Sequence, residues 1–304
     1  MVLDTGHPDV VMAVVFHPDG KHLLGGGDGG IRQWRLADSD AREVGKQTGI
    51  KLRAICVSRD QKWIVCGADP GASVWDAEMH EKLIDVEGTK TVSAVDVSPD
   101  SARFVIGTGY GDEKASVWNL RTGERLVGPL RHDNAVAGVK FSPDGEHIAT
   151  FIPSGSVRIF DSHSGDQLIA INTTTRPEWP ITPLVWSNDG HQLFTVSNAK
   201  QIKSFSVSTG SQLVESPILN NDHTIALAGN GKFIATVANH AISFLDTTAL
   251  TKIGTAINDS ERMWSVAISS DSSQIATGRA DGKIIIRDLA DFLPDSYGPF
   301  HVSI

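Results

Sequence analysis

The sequence predicts an all-β protein built from repeated four-stranded antiparallel sheets. Short runs that alternate apolar and polar residues are separated by clusters of Ser, Pro, Asp and Gly, which is typical of strands joined by tight turns. The pattern of one sheet recurs along the chain at intervals of 40 to 45 residues. A single sheet of this size cannot bury both of its faces, so we expect the copies to pack against one another.

The clearest copy spans residues 135–171. It reads as a strand over VAGVKF, an SPDG turn, a strand over HIATFI, an SG turn, a strand over SVRIFD, an HSGD turn and a strand over QLIAI. Because each turn is short and rich in turn-forming residues, we predict that consecutive strands pair as an antiparallel meander.

The turn aspartate of this copy recurs in register along the chain. It is found, with one Asn in its place, at Asp19, Asp60, Asp100, Asp144, Asp189, Asn230 and Asp271. The third strand ends 15 to 18 residues later, at Trp34, Trp75, Trp118, Phe160, Phe205, Leu245 and Arg287. Asp follows four of these, at Asp76, Asp161, Asp246 and Asp288. The period and the Trp-Asp-like pair resemble the WD40 repeat, which implies a seven-bladed β-propeller of four-stranded antiparallel blades.

The copies fill most of the chain and predict one domain over residues 1–290. The repeats span about 6–49, 50–88, 89–131, 132–172, 173–219, 220–258 and 259–290. The last repeat has no clear fourth strand, so we predict that an N-terminal strand at about residues 2–5 completes it and closes the ring, which would remove an exposed sheet edge. The apolar tail, 291–304, is expected to pack on the ring or to lead into a further segment.

Composition and charge limit the partner classes. The 304 residues carry a formal net charge of -9, which argues against non-specific binding to nucleic acid or to anionic membranes. No apolar run approaches the length of about 18 residues that a membrane span needs, and the N-terminus does not resemble a signal peptide. Cys56 and Cys66 are predicted to be buried free thiols. We expect a cytoplasmic protein.

The sequence lacks the common catalytic motifs, including the G-x-S-x-G elbow, H-E-x-x-H, C-x-x-C and the phosphate-binding G-x-x-x-x-G-K-[ST]. Residues 25–30 satisfy G-x-G-x-x-G, but a strand rather than a helix follows, so no helix N-terminus is available for a phosphate. We therefore expect no enzyme activity, no cofactor and no metal.

The resemblance also implies a hydrogen-bonded network that joins a His before the first strand, a second-strand Ser or Thr, a turn Asp and the third-strand Trp. No repeat here has all four residues, so we expect the ring to be stabilised mainly by apolar packing. The partial sets predict structural roles for His7, Asp28, Trp34, Trp75, Asp112, Trp118, His132 and Asp281.

In this family, the face that carries the loops between blades commonly binds peptides and protein loops. The resemblance implies that side chains seven and nine positions before the turn aspartate, and those around the second turn, reach this face. In repeats seven, one and two these positions form an unusual sector: Met12, Lys51, Arg53, Arg262, Trp264 and Arg279. A Trp flanked by Arg is typical of an interface hot spot, and several Arg suit a carboxylate or phosphate.

We therefore predict a scaffold that binds other proteins, by way of an acidic or phosphorylated segment, as a monomeric ring. In an alternative interpretation, the basic residues are simply solvated and Trp264 covers a blade junction. A glycan- or small-molecule-binding propeller, with Trp179 and Trp264 stacking on sugars, is a second function class. A propeller hydrolase is a third, and would need several Asp, Glu, Asn or His residues around the central axis. The top-face residues differ from repeat to repeat, which favours one protein partner over a lectin.

Overall fold

The computed structural model describes residues 1–36, 41–47, 49–78, 81–86, 90–109, 111–112, 114–153, 156–172, 184–197, 201–219 and 224–298. These residues form seven antiparallel four-stranded sheets, one for each repeat, arranged as a seven-bladed propeller. The fold class predicted from the repeat pattern is confirmed.

The strands follow the predicted order, with the first strand of each blade innermost. An N-terminal strand, β1 (Val2–Asp4), precedes blade one: β2 (Ala13–Phe16), β3 (His22–Gly27), β4 (Gly30–Leu36) and β5 (Ala41–Gln47). Blade two has β6 (Leu52–Val57), β7 (Trp63–Ala68), β8 (Ala72–Asp76) and β9 (Lys82–Val86). Blade three has β10 (Val92–Val97), β11 (Arg103–Thr108), β12 (Lys114–Asn119) and β13 (Arg125–Arg131). Blade four has β14 (Gly138–Phe141), β15 (His147–Ile152), β16 (Ser156–Asp161) and β17 (Gln167–Asn172).

The second half of the ring repeats the arrangement. Blade five has β18 (Leu184–Trp186), β19 (Gln192–Ser197), β20 (Gln201–Ser206) and β21 (Gln212–Glu215). Blade six has β22 (Thr224–Leu227), β23 (Phe233–Ala238), β24 (Ala241–Asp246) and β25 (Lys252–Asn258). Blade seven has β26 (Met263–Ile268), β27 (Gln274–Arg279) and β28 (Lys283–Asp288), with β1 as its fourth strand.

The predicted ring closure is confirmed by the pairing of β1 with β28. The two strands are antiparallel, with Leu3 opposite Ile284, and the Leu3 side chain is buried between blades seven and one. The Thr5 hydroxyl donates to the Gly282 carbonyl at 2.7 Å. Gly282 has a φ of +78°, and a Cβ at this position would lie 1.9 Å from the His7 carbonyl oxygen. The seam therefore requires Gly both for its backbone conformation and for the close approach of the two chain segments.

A Ser-x-Asp arrangement stabilises the first turn of most blades. In blade four the Ser142 hydroxyl donates to Asp144 and accepts the His147 backbone N–H at 2.9 Å. The same pairs occur at Ser58–Asp60, Ser98–Asp100, Ser187–Asp189 and Ser269–Asp271. Partial burial raises the pKa of Asp144, but the hydrogen bonds from the Ser142 hydroxyl and the Glu146 N–H lower it, and the net direction is downward. Blade one has His17 in the Ser position, and blade six has Ala228.

The cores lie between neighbouring blades. Trp34 packs with Leu3, Leu23 and Ile284 between blades one and seven, and Trp75 packs between blades two and one. Trp118 packs in the cluster between blades two and three and stacks on Phe104, with ring centroids 6.5 Å apart. Each blade thus buries its apolar face against its neighbours, which explains why the sheet is repeated around a ring.

After blade seven, the chain packs against blade six. Two short 3-10 turns, Leu289–Asp291 and Asp295–Tyr297, place Leu293 in the core between blades six and seven. Asn230, which replaces the turn aspartate in this blade, donates to the Tyr297 carbonyl at 3.1 Å. The part of the tail beyond residue 298 lies outside the described residues. No helix among the described residues has the length and apolarity to cross a membrane.

Candidate functional site

The residues predicted to bind a partner lie on three neighbouring blades. Strand β26 of blade seven contacts β2 of blade one, and β2 contacts β6 of blade two. Trp264 is on β26 and Arg53 is on β6, with Met12 immediately before β2. We call Met12, Lys51, Arg53, Arg262, Trp264 and Arg279 the blade 7-1-2 sector.

The sector contains a stacked pair. The Arg262 guanidinium carbon lies 4.1 Å from the centroid of the Trp264 ring, which is a cation–π arrangement. Both residues are half-buried, and the Arg262 carbonyl accepts the Ala280 N–H at 2.8 Å. Neither the Trp264 Nε1 nor the Arg262 Nε has a hydrogen-bond partner among the described residues. Among the described residues, the stacking contact and the backbone bond to Ala280 are therefore the interactions that position the pair.

Arg279 does not extend freely from the surface. Its guanidinium bridges Asp259, at 3.3 Å, and Asp281, at 3.0 Å, and its side chain is 15% exposed. Burial raises the pKa of Asp259, but the Glu261 N–H, a hydrogen bond from Arg287 and the charge of Arg279 together bring it below its ordinary value. Arg279 thus links the sector to a charged cluster that also contains Asp259, Asp281 and Arg287.

The remaining basic residues are more accessible. The Arg53 guanidinium lies 3.0 Å from Asp28 of blade one, and Asp28 is almost half exposed. Lys51 is exposed, and its carbonyl accepts the Asp69 N–H at 3.1 Å. Met12 is half-buried and donates its N–H to the Gly26 carbonyl at 2.8 Å. A ligand that carries negative charge could compete with Asp28 for Arg53 at this edge.

The central channel has a volume of about 300 Å³. The inner strands of all seven blades line it, mostly with apolar residues such as Val14, Val95 and Val266. Arg53 and Lys140 also line it, and Lys140 forms an ion pair with Asp96 at 2.8 Å. Among the described lining residues there is no group of inward carboxylates and imidazoles of the kind that a hydrolytic metal site would need.

The residues predicted to be structural form several separate contacts. His132 is buried, and its Nδ1–H donates to the Leu130 carbonyl at 2.8 Å while its Nε2 accepts the Thr150 hydroxyl at 2.9 Å. Burial, and then the nearby Arg158 charge, lower the pKa of His132 to about 4. His7, by contrast, is exposed and pairs with Asp9 at 2.8 Å. The Trp75 Nε1 donates to Ser73 at 2.8 Å, and Asp112 pairs with Lys114 at 2.8 Å.

The charged cluster of blade seven was not predicted from the sequence. Arg287 occupies the third-strand Trp position and donates to Asp259 and to Thr277, the latter at 3.2 Å. Asp259 lies twelve residues before its turn aspartate, the same offset as His7 and His132. The cluster therefore has the geometry of the family network, with an Asp–Arg pair in place of the His–Trp pair. Counting this offset in every repeat would have revealed it.

Comparison with known proteins is consistent with this architecture. The family model described as "WD domain, G-beta repeat" matches residues 2–35 and 252–288. WD repeat-containing protein 1 of Mus musculus is 25% identical over 233 residues, covering 71% of this chain and 37% of the relative. Actin-interacting protein 1 of Drosophila melanogaster is 23% identical over 292 residues, covering 92% of this chain and 48% of the relative. The guanine nucleotide-binding protein subunit beta of Zea mays is 25% identical over 211 residues, covering 62% and 55%. The chain thus spans between about a third and about half the length of these relatives.

Proposed function

We propose that this seven-bladed propeller of WD40 repeats is a non-catalytic scaffold that binds another protein. WD40 relatives that cover most of this chain support an interaction role. We propose further that the blade 7-1-2 sector is the binding surface and that the bound segment is acidic or phosphorylated.

The observation that carries this proposal is the stacked Arg262–Trp264 pair. A half-buried aromatic side chain that is already stacked on a guanidinium loses little further conformational entropy on binding. Its backbone is fixed by blade seven, so that the surface is largely preformed. Such a pair can bury an apolar side chain of a partner while Arg262 contacts a neighbouring carboxylate or phosphate.

The ion pairs of the sector distinguish the roles of its arginines. Arg53 pairs with one exposed carboxylate and can exchange Asp28 for a partner's acidic group. Arg279 is already bound to Asp259 and Asp281, which neutralise its charge, so it supports the surface and does not exchange partners. Lys51 extends into solvent at the edge of the sector. We therefore assign direct contact to Arg53, Lys51 and Arg262, and a supporting role to Arg279.

The test compares binding of peptides in matched neutral, acidic and phosphorylated forms. Peptides that bind the intact ring are first selected by peptide display. Their affinities for the wild type and for the Trp264→Ala and Arg53→Glu variants are then measured by fluorescence anisotropy. We expect each variant to weaken binding at least tenfold, since truncation of a hot-spot residue typically costs about 2 kcal/mol or more. Arg125→Glu, on an outer strand away from the sector, is the control and should bind normally. Unchanged affinity in both sector variants would reject this surface.

One relative is named for its interaction with actin, so co-sedimentation with actin filaments is a direct first assay for a protein partner. The same variants then report whether any such binding uses the sector. A glycan-binding propeller is the second candidate function, because the half-buried Trp264 ring can also stack on a sugar. A glycan array discriminates between the two. Trp179, the other aromatic residue considered for sugar stacking, lies outside the described residues.

The proposal includes a cytoplasmic location for the ring. Cys56 and Cys66 lie on neighbouring strands and are both buried free thiols. Burial raises the pKa of both thiols, which keeps them protonated and unreactive. Cysteines of this kind are typical of proteins in a reducing compartment. Fractionation of cells that express the tagged protein checks this location.

A further inference from the structure

The first turn of blade one differs chemically from the other turns of the ring. Five blades place a Ser two residues before the turn aspartate, and its hydroxyl donates to that carboxylate. Blade one instead has His17 before Asp19, with a second histidine, His22, three residues after it. A serine is sufficient to form this turn elsewhere, so the two imidazoles are not needed for folding.

The three side chains converge on one point. The Nδ1 atoms of His17 and His22 lie 3.1 Å and 2.7 Å from the same oxygen, Oδ2 of Asp19. The three donor atoms all lie within 4.8 Å of one another, and among the described residues they are the only such group of His, Cys, Asp or Glu. In a tetrahedral zinc site, bonds of about 2.0–2.1 Å put neighbouring donor atoms about 3.4 Å apart. Small side-chain rotations would bring the group to this separation.

The turn also holds the ligands in place. The other oxygen of Asp19, Oδ1, accepts the backbone N–H groups of Lys21 at 2.7 Å and His22 at 3.1 Å, which aims Oδ2 at the imidazoles. The His17 N–H donates to the His22 carbonyl at 2.9 Å and fixes the two ends of the turn. His17 is buried, whereas the Asp19 and His22 side chains are 22% and 26% exposed. The site is therefore backed by protein on one side and open to water on the other.

We propose that His17, Asp19 and His22 bind a divalent ion of a late first-row transition metal such as Zn²⁺. Water occupies the fourth coordination position. Two imidazole nitrogens and one carboxylate oxygen are a donor set typical of Zn²⁺, whereas Ca²⁺ and Mg²⁺ prefer oxygen alone. The metal replaces the hydrogen bonds between the imidazoles and the carboxylate and joins β2 to β3. This proposal replaces the expectation, drawn from the sequence, that the chain binds no metal.

The experiment uses the full chain after removal of metal with a chelator. Titration with Co²⁺ is followed by visible absorption, which reports a tetrahedral site, and Zn²⁺ binding is measured by calorimetry and by the shift in Tm. We expect one equivalent of metal and a Tm that rises on metal addition. The variant His17→Ser should weaken binding at least tenfold while it restores the Ser-x-Asp turn of the other blades. His22→Gln, which introduces the residue of blades five and seven at this position, should do the same.

Blade four provides the matched control. Ser142, Asp144 and His147 have the same spacing but only one imidazole, so His147→Gln should leave metal affinity and the Tm shift unchanged. Absence of bound metal in the wild-type chain would overturn the proposal. So would equal affinity in wild type and in both blade-one variants, because the metal would then bind elsewhere. Circular dichroism establishes that each variant is folded, and either blade-one variant alone is sufficient for the comparison.

Discussion

Acidification from pH 7 to pH 5 should destabilise the ring through His132. The imidazole donates from Nδ1 to the Leu130 carbonyl and accepts from the Thr150 hydroxyl at Nε2, so the neutral tautomer satisfies both neighbours. A protonated imidazole would donate from both nitrogens. Its Nε2–H would then face the Thr150 hydroxyl, which donates to Nε2 when the imidazole is neutral. Burial and the charge of Arg158 add to this penalty and hold the pKa of His132 at about 4.

The sign and the size follow from linkage. The pKa of histidine is 6.5 in the unfolded chain and about 4 in the folded ring, so between these values the unfolded state binds more protons. The contribution of His132 to stability is fully present above pH 6.5 and decreases as the pH falls to about 4. A shift of this size corresponds to about 3 kcal/mol in total, of which about 2 kcal/mol is lost between pH 7 and pH 5.

Urea unfolding of the wild type and of His132→Gln at pH 7, 6 and 5 measures this contribution. The variant loses stability at pH 7. Between pH 7 and pH 5, however, its free energy of unfolding should fall by about 2 kcal/mol less than that of the wild type. His163→Gln is the matched control, because this imidazole is exposed, and its pH profile should follow that of the wild type. Parallel pH profiles for the wild type and His132→Gln would refute the assignment of a buried neutral imidazole.

Three further predictions concern stability and are measured by urea unfolding. Leu3→Ala should cost about 2–5 kcal/mol because Leu3 is buried in the seam between β1 and blade one. Val2→Ala, on the exposed side of the same strand, is the control and should cost under about 1 kcal/mol. Equal effects of the two substitutions would contradict the observed closure. Asp259→Asn should cost about 3–5 kcal/mol because it leaves two arginines without their buried carboxylate. The control, Asp133→Asn, changes an exposed carboxylate and should cost less than about 1 kcal/mol. A small effect at Asp259 would show that the cluster is dispensable. Tyr297→Phe removes the 3.0 Å hydrogen bond from the tail to Asp246 of blade six and should cost about 1 kcal/mol. An unchanged free energy of unfolding would show that this bond contributes nothing.

The ring could be predicted from sequence because its determinants are local and periodic. The turn residues from Asp19 to Asp271 mark each blade, and a strand missing at one end of the chain matches a spare strand at the other. Strand alternation and turn chemistry operate within about ten residues, so they are visible without knowledge of the fold. The pairing of Leu3 with Ile284 then follows from the need to cover a sheet edge.

The candidate site was less predictable because its electrostatics depend on residues distant in sequence. The basic sector was identified from Arg53 and Arg279, but two of their carboxylate partners, Asp28 and Asp259, come from other turns. Those pairs reduce the positive charge that the sequence suggested. The tail was expected to pack on the ring or to lead into a further segment, but its place on blade six could not be predicted, since Leu293 and its neighbours follow no strand or helix period.

The pairing of β1 with β28 has a consequence for biosynthesis. A ribosome makes the chain from its N-terminus, so β1 emerges some 280 residues before the strand that it pairs with. Until then, Leu3 has no β-sheet partner, and blade one lacks the neighbour against which it packs Trp34. The growing polypeptide therefore presents two unprotected sheet surfaces for most of its translation, at roughly 5–20 residues per second. Chaperone binding to the nascent chain should be concentrated in this interval and should end when residue 288 leaves the exit tunnel.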